Sequence, residues 1–280
     1  MELNSSLRVE AYTPSEFLAM KPKNLSENSL VILSSYTGKT PETVEAAEYV
    51  RSLGAPTIGF VGIAETPLGE AVDYVFANKA DEGTTDSKLI MLYQIMFNLL
   101  RQLENYKKYD EFVKSIEALP GALVGVRQKV EPDAVKFAKE KKNADFFMTL
   151  GSGPCWGEAY SYATCILEEM QWIHAQPVHS GEFFHGAFEM VVEDTELILF
   201  KGVDATRPLA ERVEAFAKKY TRNLTVIDAQ DHELPGVSDE FKGYFSPLVC
   251  SAAIDVYSKN LAEERNHPLK TRRYMHKVEY

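Results

Sequence analysis

One repeated block constrains this chain more than anything else: a short apolar run, a turn of Gly and hydroxyl residues, then a helical pattern. Leu30-Val31-Ile32-Leu33 runs into SSYTGKTPET (Ser34–Thr43), followed by Val44, Ala47, Val50 and Leu53 at helical spacing, with Gly54 as the stop. Phe146–Leu150 runs through GSGP (Gly151–Pro154) into a helix predicted over Cys155–Ile173. A run apolar at consecutive positions suits a strand covered on both faces, the condition of a parallel sheet between helices. The same pattern predicts a short helix at Pro14–Met20 and strands at Thr57–Val61 and Tyr74–Phe76, with a short helix opened by Thr66-Pro67 between them. Further along it predicts strands at Leu197–Lys201 and Leu224–Ile227, and helices at Leu209–Tyr220 and Tyr244–Leu261. Strands alternating with helices make an α/β chain with parallel sheets. Between the two sets lies a long helix from Ser87 to about Tyr106. Further helices follow to Lys142, with breaks expected at Pro120 and Pro132. The division this suggests is 1–108, a helical junction 109–142, and 143–280.

Composition excludes several classes of function. With 45% hydrophobic and 25% charged residues, the 280-residue chain is an ordinary globular sequence and not a disordered one. The net charge of −11 and the lack of a basic stripe argue against nucleic acid as a partner. No apolar run approaches the roughly 20 residues that span a bilayer, so no membrane partner is expected. The first 30 residues lack the apolar stretch of a signal peptide. Three cysteines (Cys155, Cys165, Cys250) without a CxxC pair suit a reducing, cytoplasmic setting.

Two segments carry candidate chemistry. The first is SSYTGKT, where Ser34, Ser35, Tyr36, Thr37 and Thr40 surround Gly38 between a strand and a helix. A helix N-terminus with hydroxyl donors and a close-approach glycine suits phosphate. Neither GxxxxGK[ST] nor GxGxxG is present, and plain N-capping by Ser and Thr accounts for the composition equally well. The second segment, residues 143–200, contains no Lys or Arg. It holds Asp145, Glu158, Glu168, Glu169, Glu182, Glu189, Glu193, Asp194 and Glu196, together with His174, His179 and His185. Acidic groups whose only local cations are imidazoles suit proton transfer near neutrality. On a 3.6-residue period Glu169 shares a face with Tyr162, Cys165, Ile166 and Ile173, so it is either functional or satisfied by a donor elsewhere in the chain. Glu182 and His185, three apart, fit one helical turn, with His174 expected close to Ser180-Gly181. The histidine gaps match no metal-ligand spacing, and neither a metal nor another cofactor is expected.

These residues resemble a family. Ser34–Val75 is similar to the first half of a sugar isomerase (SIS) domain, whose SxSGxTxE loop is matched by Ser35–Glu42 with Thr37 in place of the second Ser. The EMQWIH segment from Glu169 to His174, SGE (Ser180–Glu182) and FHG (Phe184–Gly186) resemble the isomerase half of glucosamine-6-phosphate synthase. They resemble the fructosamine-6-phosphate deglycases more closely, as does the tail Ala262–Tyr280. The resemblance implies an α/β fold of two doubly wound parallel-sheet SIS modules in tandem. It implies phosphate binding by Ser35, Thr37 and Thr40 with the Tyr36 and Gly38 amides, Glu169 as general base and His185 as the acid/base that opens the sugar ring. His174, Glu182 and Lys277 become possible substrate contacts. A phosphorylated sugar-amine is the implied substrate, and a homodimer with composite sites the implied assembly, since in relatives the histidine reaches the neighbouring subunit's site. The family's opening strand and first phosphate loop would precede Leu3, so the first module reads as truncated at its N-terminus. The activity implied is a deglycase acting through an enaminol. The alternatives are a ketose/aldose phosphate isomerase and a phosphosugar sensor without turnover.

Overall fold

The computed structural model of the chain describes residues 4–80, 84–275 and 277–279; Leu3, where the resemblance starts, and His276 and Tyr280 of the tail lie outside them. It divides into two compact units, 1–109 and 110–280.

The first unit contains α1 (Pro14–Met20), β1 (Val31–Ser34), α2 (Pro41–Ser52), β2 (Thr57–Val61), α3 (Pro67–Ala71), β3 (Tyr74–Ala77) and α4 (Thr84–Glu104). Its three strands are parallel in the order β1-β2-β3. Every residue of β2 is buried, as its unbroken apolar sequence requires. Leu33 and Val61 on one sheet face pack with Ala46 and Ala47 of α2 and Leu68 and Ala71 of α3. Thr13 and Thr66 cap α1 and α3, each followed by Pro at the first helical position.

The second unit contains α5 (Tyr109–Lys141), β4 (Phe146–Gly151), α6 (Trp156–Ser161), β5 (His174–His179), β6 (Glu196–Lys201), α7 (Arg207–Tyr220), β7 (Asn223–Asp228) and α8 (Asp239–Glu264). Its sheet is parallel in the order β5-β4-β6-β7. Met148, Leu150, Leu197 and Leu199 pack with Ala210, Val213 and Ala217 of α7 on one face. On the other, Phe147 meets Phe137 of α5, and Phe200 meets Tyr162. Helices on both faces make this sheet doubly wound. The chain leaves β4 for β5 on one side and crosses to β6 on the other, which places the topological switch point between β4 and β6.

Three expectations need correction. Pro120 and Pro132 do not break the junction: α5 is one 33-residue helix running through both. Both prolines are on its exposed face, where the carbonyls four residues earlier can tilt toward water. Phe112, Ser115, Leu119, Ala122, Val126 and Val130 meanwhile form an unbroken buried stripe. The helix expected over Cys155–Ile173 is a 3₁₀ turn, then α6, then a π-helical stretch Tyr162–Met170. Finally, His174–His179 is a strand, so Ser180 is held away from His174.

Candidate active site

The turn after β1 is shaped by Gly38. Its φ is +62°, and a Cβ there would overlap the Thr66 hydroxyl, so only glycine fits. Its carbonyl accepts from the Leu68 amide at 2.9 Å, and its own amide donates to the Ser35 carbonyl at 3.1 Å. Thr40 stands at the N-cap of α2 but makes no side-chain cap bond. Its hydroxyl lies 2.9 Å from the buried Ser35 hydroxyl. The hydroxyls therefore face one another and not the helix, which separates this turn from plain N-capping. Thr37 and Lys39 are exposed. The Tyr36 hydroxyl donates to the Ala80 carbonyl at 2.8 Å.

Glu169 sits near the end of the π-helical stretch. The wider turn shows in the Gln171 amide, which donates to the carbonyl of Ile166 five residues back at 3.0 Å. Cys165 is exposed where a 3.6 period would bury it beside Glu169. Trp172 then takes φ +56°, an uncommon conformation for so large a residue, and turns the chain into β5. The donor for Glu169 comes from the C-terminal tail: Arg272 NH2 lies 2.7 Å from Glu169 Oε1, and the Glu169 side chain is 24% exposed. Three further contacts fix the tail against the same corner. Gln171 Nε2 donates to the His267 carbonyl at 2.8 Å. The Trp172 and His267 rings meet edge-on at 4.5 Å. The Arg273 guanidinium covers the Trp172 ring at 4.3 Å. Burial, then the nearby Arg265 charge, holds the His267 imidazole below its ordinary pKa. The Lys277 ammonium donates to the Arg272 carbonyl at 2.5 Å.

His185 occupies a different place. It ends a 3₁₀ turn, Phe183–His185, with its amide on the Glu182 carbonyl at 2.9 Å. The turn is anchored by buried Phe183, which packs edge-on against Phe184 and Phe216. Glu182 and His185 are exposed, as is His174. The register pairs His174 with Phe146 and His179 with Gly151. The six-residue β5 thus separates His174 from His179 by roughly 17 Å. Glu169, His174 and Arg272 gather at the N-terminal end of β5, whereas Glu182 and His185 follow its C-terminal end. Among the described residues no hydrogen bond or ion pair joins Glu169 to His185. Nor does any group of three or more His, Cys, Asp or Glu converge as metal ligands would.

The stretch without Lys or Arg is not electrostatically free of cations, as its sequence suggested. Arg272 reaches Glu169, Lys141 lies 2.8 Å from Glu196, and Arg222 lies 2.7 Å from Glu193. Burial pushes the Glu196 carboxyl up, and Lys141 only partly offsets it. Sequence reasoning also missed the π-helical stretch and the Trp172 corner, for which no periodicity gave a signal. Among the described residues no helix is long and apolar enough to cross a membrane.

A family model described as the SIS domain matches residues 1–106. The fructosamine deglycase of Bacillus subtilis (strain 168) is 42% identical over 99% of this chain and 85% of that protein. The fructoselysine 6-phosphate deglycase of Escherichia coli K12 is 26% identical over 96% of this chain and 78% of its own length. A crystal structure of a Bacillus subtilis protein, described as a candidate phosphosugar isomerase, superposes with a TM-score of 0.91. It shares 42% identity and covers 96% of this chain and 83% of that one.

Proposed function

The chain belongs to the SIS-domain fructosamine deglycases, and from that membership we propose that it cleaves a fructosamine 6-phosphate into glucose 6-phosphate and the free amine compound. The observation that carries this is the extent of the likeness to a fructosamine deglycase, which runs through both sheets, over 99% of the chain. The turn after β1 supports it: residues 34–40, leading into α2, carry hydroxyls and no carboxylate, and the Ser35 and Thr40 hydroxyls lie 2.9 Å apart, a setting for the sugar phosphate.

In the reaction, Ser35, Thr37 and Thr40 hold the phosphate. Of the two backbone amides of the turn, Gly38 is already engaged by Ser35, which leaves Tyr36 as the better candidate. His185 exchanges a proton with the ring oxygen as the sugar opens. Glu169 takes a proton from C1, and the electron pair moves through C2 to its carbonyl oxygen, giving an enaminol. Return of a proton to C2 leaves an imine between C1 and the amine nitrogen. Water adds at C1, the C1–N bond breaks, and glucose 6-phosphate leaves with the amine. Glu182, His174 and Lys277 are exposed and available as substrate contacts. His185 and Glu169 lie at opposite ends of one strand, which favours a homodimer with composite sites, each His185 serving the partner's Glu169.

The test is glucose 6-phosphate release from fructosamine 6-phosphates. Wild type should release it, and Glu169→Gln and His185→Ala should each lose on the order of 10²- to 10⁴-fold in kcat with unchanged circular dichroism. Full activity in either variant rejects its role. Mixing the two inactive variants should restore activity if sites are composite, and should restore none if each chain works alone.

A further inference from the structure

We propose that Arg272 guards the base: in the free protein it holds Glu169, and the carboxylate of an amino-acid substrate draws it away and frees Glu169 for C1. The proposal rests on Glu169 being that base. Its geometric core is proximity. A base that reaches C1 has the amine substituent of C1 directly beside it. In an α-adduct of an amino acid, that substituent carries its carboxylate just beyond the amine nitrogen and one carbon. Any cation touching Glu169 is therefore within reach of the substrate carboxylate, and Arg272 touches it at 2.7 Å.

The guanidinium is prepared for an exchange of partners. Its NH1 group is committed to the tail, donating to the carbonyls of Leu269 at 2.7 Å and Thr271 at 2.9 Å. NH1 thereby anchors one edge of the group to the tail, while NH2 contacts Glu169 through one oxygen only. An incoming carboxylate that takes both N–H groups of the other edge makes a bidentate pair, which is stronger than the single contact it displaces. Both side chains are mostly buried, Arg272 19% and Glu169 24% exposed, so water competes weakly for either. The tail does not have to leave, because Arg273 on Trp172 and Gln171 on the His267 carbonyl keep it seated while the Arg272 head turns. A substrate without a carboxylate leaves the Glu169 oxygen engaged. Arg272 is thus a substrate-recognition residue that positions the base.

Two substrates decide the matter: fructosylglycine 6-phosphate, and the methylamine adduct of the same sugar phosphate, which lacks the carboxylate. Wild type should show kcat/KM about 10- to 100-fold higher for the glycine adduct. Arg272→Met should bring that ratio close to one, and Arg272→Lys should keep part of it, since an ammonium pairs without the fork. A purely structural tail residue would lower both substrates alike and leave the ratio intact, which overturns the proposal. So does a wild-type ratio near one with both adducts cleaved. Release of glucose 6-phosphate from neither adduct overturns the deglycase function and this proposal with it. Melting curves accompany each variant. If Arg272→Met does not fold, the wild-type ratio and Arg272→Lys carry the test.

Discussion

The turn after β1 and the turn after β6 are built on one plan and finished in opposite ways. Each leaves the C-terminal end of a parallel strand and enters a helix with proline in its first turn, Pro41 in α2 and Pro208 in α7. In the first, residues 34–40 hold hydroxyls, one lysine and no carboxylate. In the second, GVDATRP supplies its own anion. Asp204 Oδ1 accepts from the Thr206 amide at 2.8 Å and the Thr206 hydroxyl at 2.7 Å. Cβ atoms at Gly153 or Gly202 would overlap the Asp204 carboxylate, so the backbone closes tightly around it at the switch point. A carboxylate at a helix N-terminus meets the same amides and dipole that favour a phosphate. The second turn is closed by its own carboxylate, whereas residues 34–40 offer hydroxyls and no carboxylate, the setting that the proposed function assigns to the sugar phosphate.

Below the second turn lies an ion network with no counterpart at the first among the described residues. Arg207 makes a two-pronged pair with Asp228, at 2.8 and 2.7 Å, and Lys201 joins Asp228 at 3.0 Å and Glu214 at 2.6 Å. The largest effect expected from this comparison comes from breaking it. Arg207→Met leaves buried Asp228 with Lys201 as its one ion-pair partner among the described residues and should cost about 3 kcal/mol in urea unfolding. Thermal or urea stability within error of wild type would show that the second turn is not held rigid by this pair.

Acid should act on the same network somewhat more weakly. Burial alone would push the Asp228 carboxyl up from an ordinary 3.8, but Arg207, the Gln230 amide and Lys201 outweigh it and bring it down to about 2. A carboxyl lowered by folding stabilises fully above its unfolded value. That stabilisation is lost as pH falls from about 4 through about 2. It amounts to about 2 kcal/mol, and Asp228→Asn should remove that part of the acid dependence in urea titrations. An acid dependence unchanged by Asp228→Asn would place the sensitive group elsewhere.

The sheets were legible in the sequence because apolar runs leave few alternatives. Thr57–Val61 was read to the residue, and the turn-opening Thr66-Pro67 and the stop at Gly54 punctuate the chain locally. What could not be read depends on distant partners. Proline signals a break only if its face is buried, and the pattern of α5 around Pro120 shows that side to be wet. A 3.6-residue period put Cys165 beside Glu169, but a π turn rotates the face. Glu169 read as either functional or satisfied by a donor, and nothing in the segment could identify one 103 residues further along. Lacking cations within the segment, the chain draws them from α5, the loop before β7 and the tail.

The first turn should respond in binding where the second responds in stability. Thr40→Val keeps the shape of the side chain and removes the hydroxyl that faces Ser35. Substrate KM should rise about tenfold, with stability within about 0.5 kcal/mol of wild type. If KM holds and stability falls, the Ser35–Thr40 pair is structural and the two turns differ less than their chemistry suggests.

The smallest effect, and the sharpest for the comparison, is expected at Asp204. Asp204→Ala removes two hydrogen bonds to Thr206 and the negative charge before α7. It also removes Oδ2, a buried oxygen with no hydrogen-bond partner among the described residues. The losses resemble those at a helix cap and the removal of an unsatisfied oxygen offsets part of them, so the net should be about 1 kcal/mol or less. Asp204→Ser keeps one acceptor and should fall between wild type and alanine. Turnover of the deglycase substrate should not change in either variant. The vacated position is bounded by glycine backbone and the α7 N-terminus, so millimolar inorganic phosphate should raise the melting temperature of Asp204→Ala more than that of wild type. Equal responses would mean that the second turn differs from the first in shape as well as in charge. A loss of turnover would place the second turn within the active site.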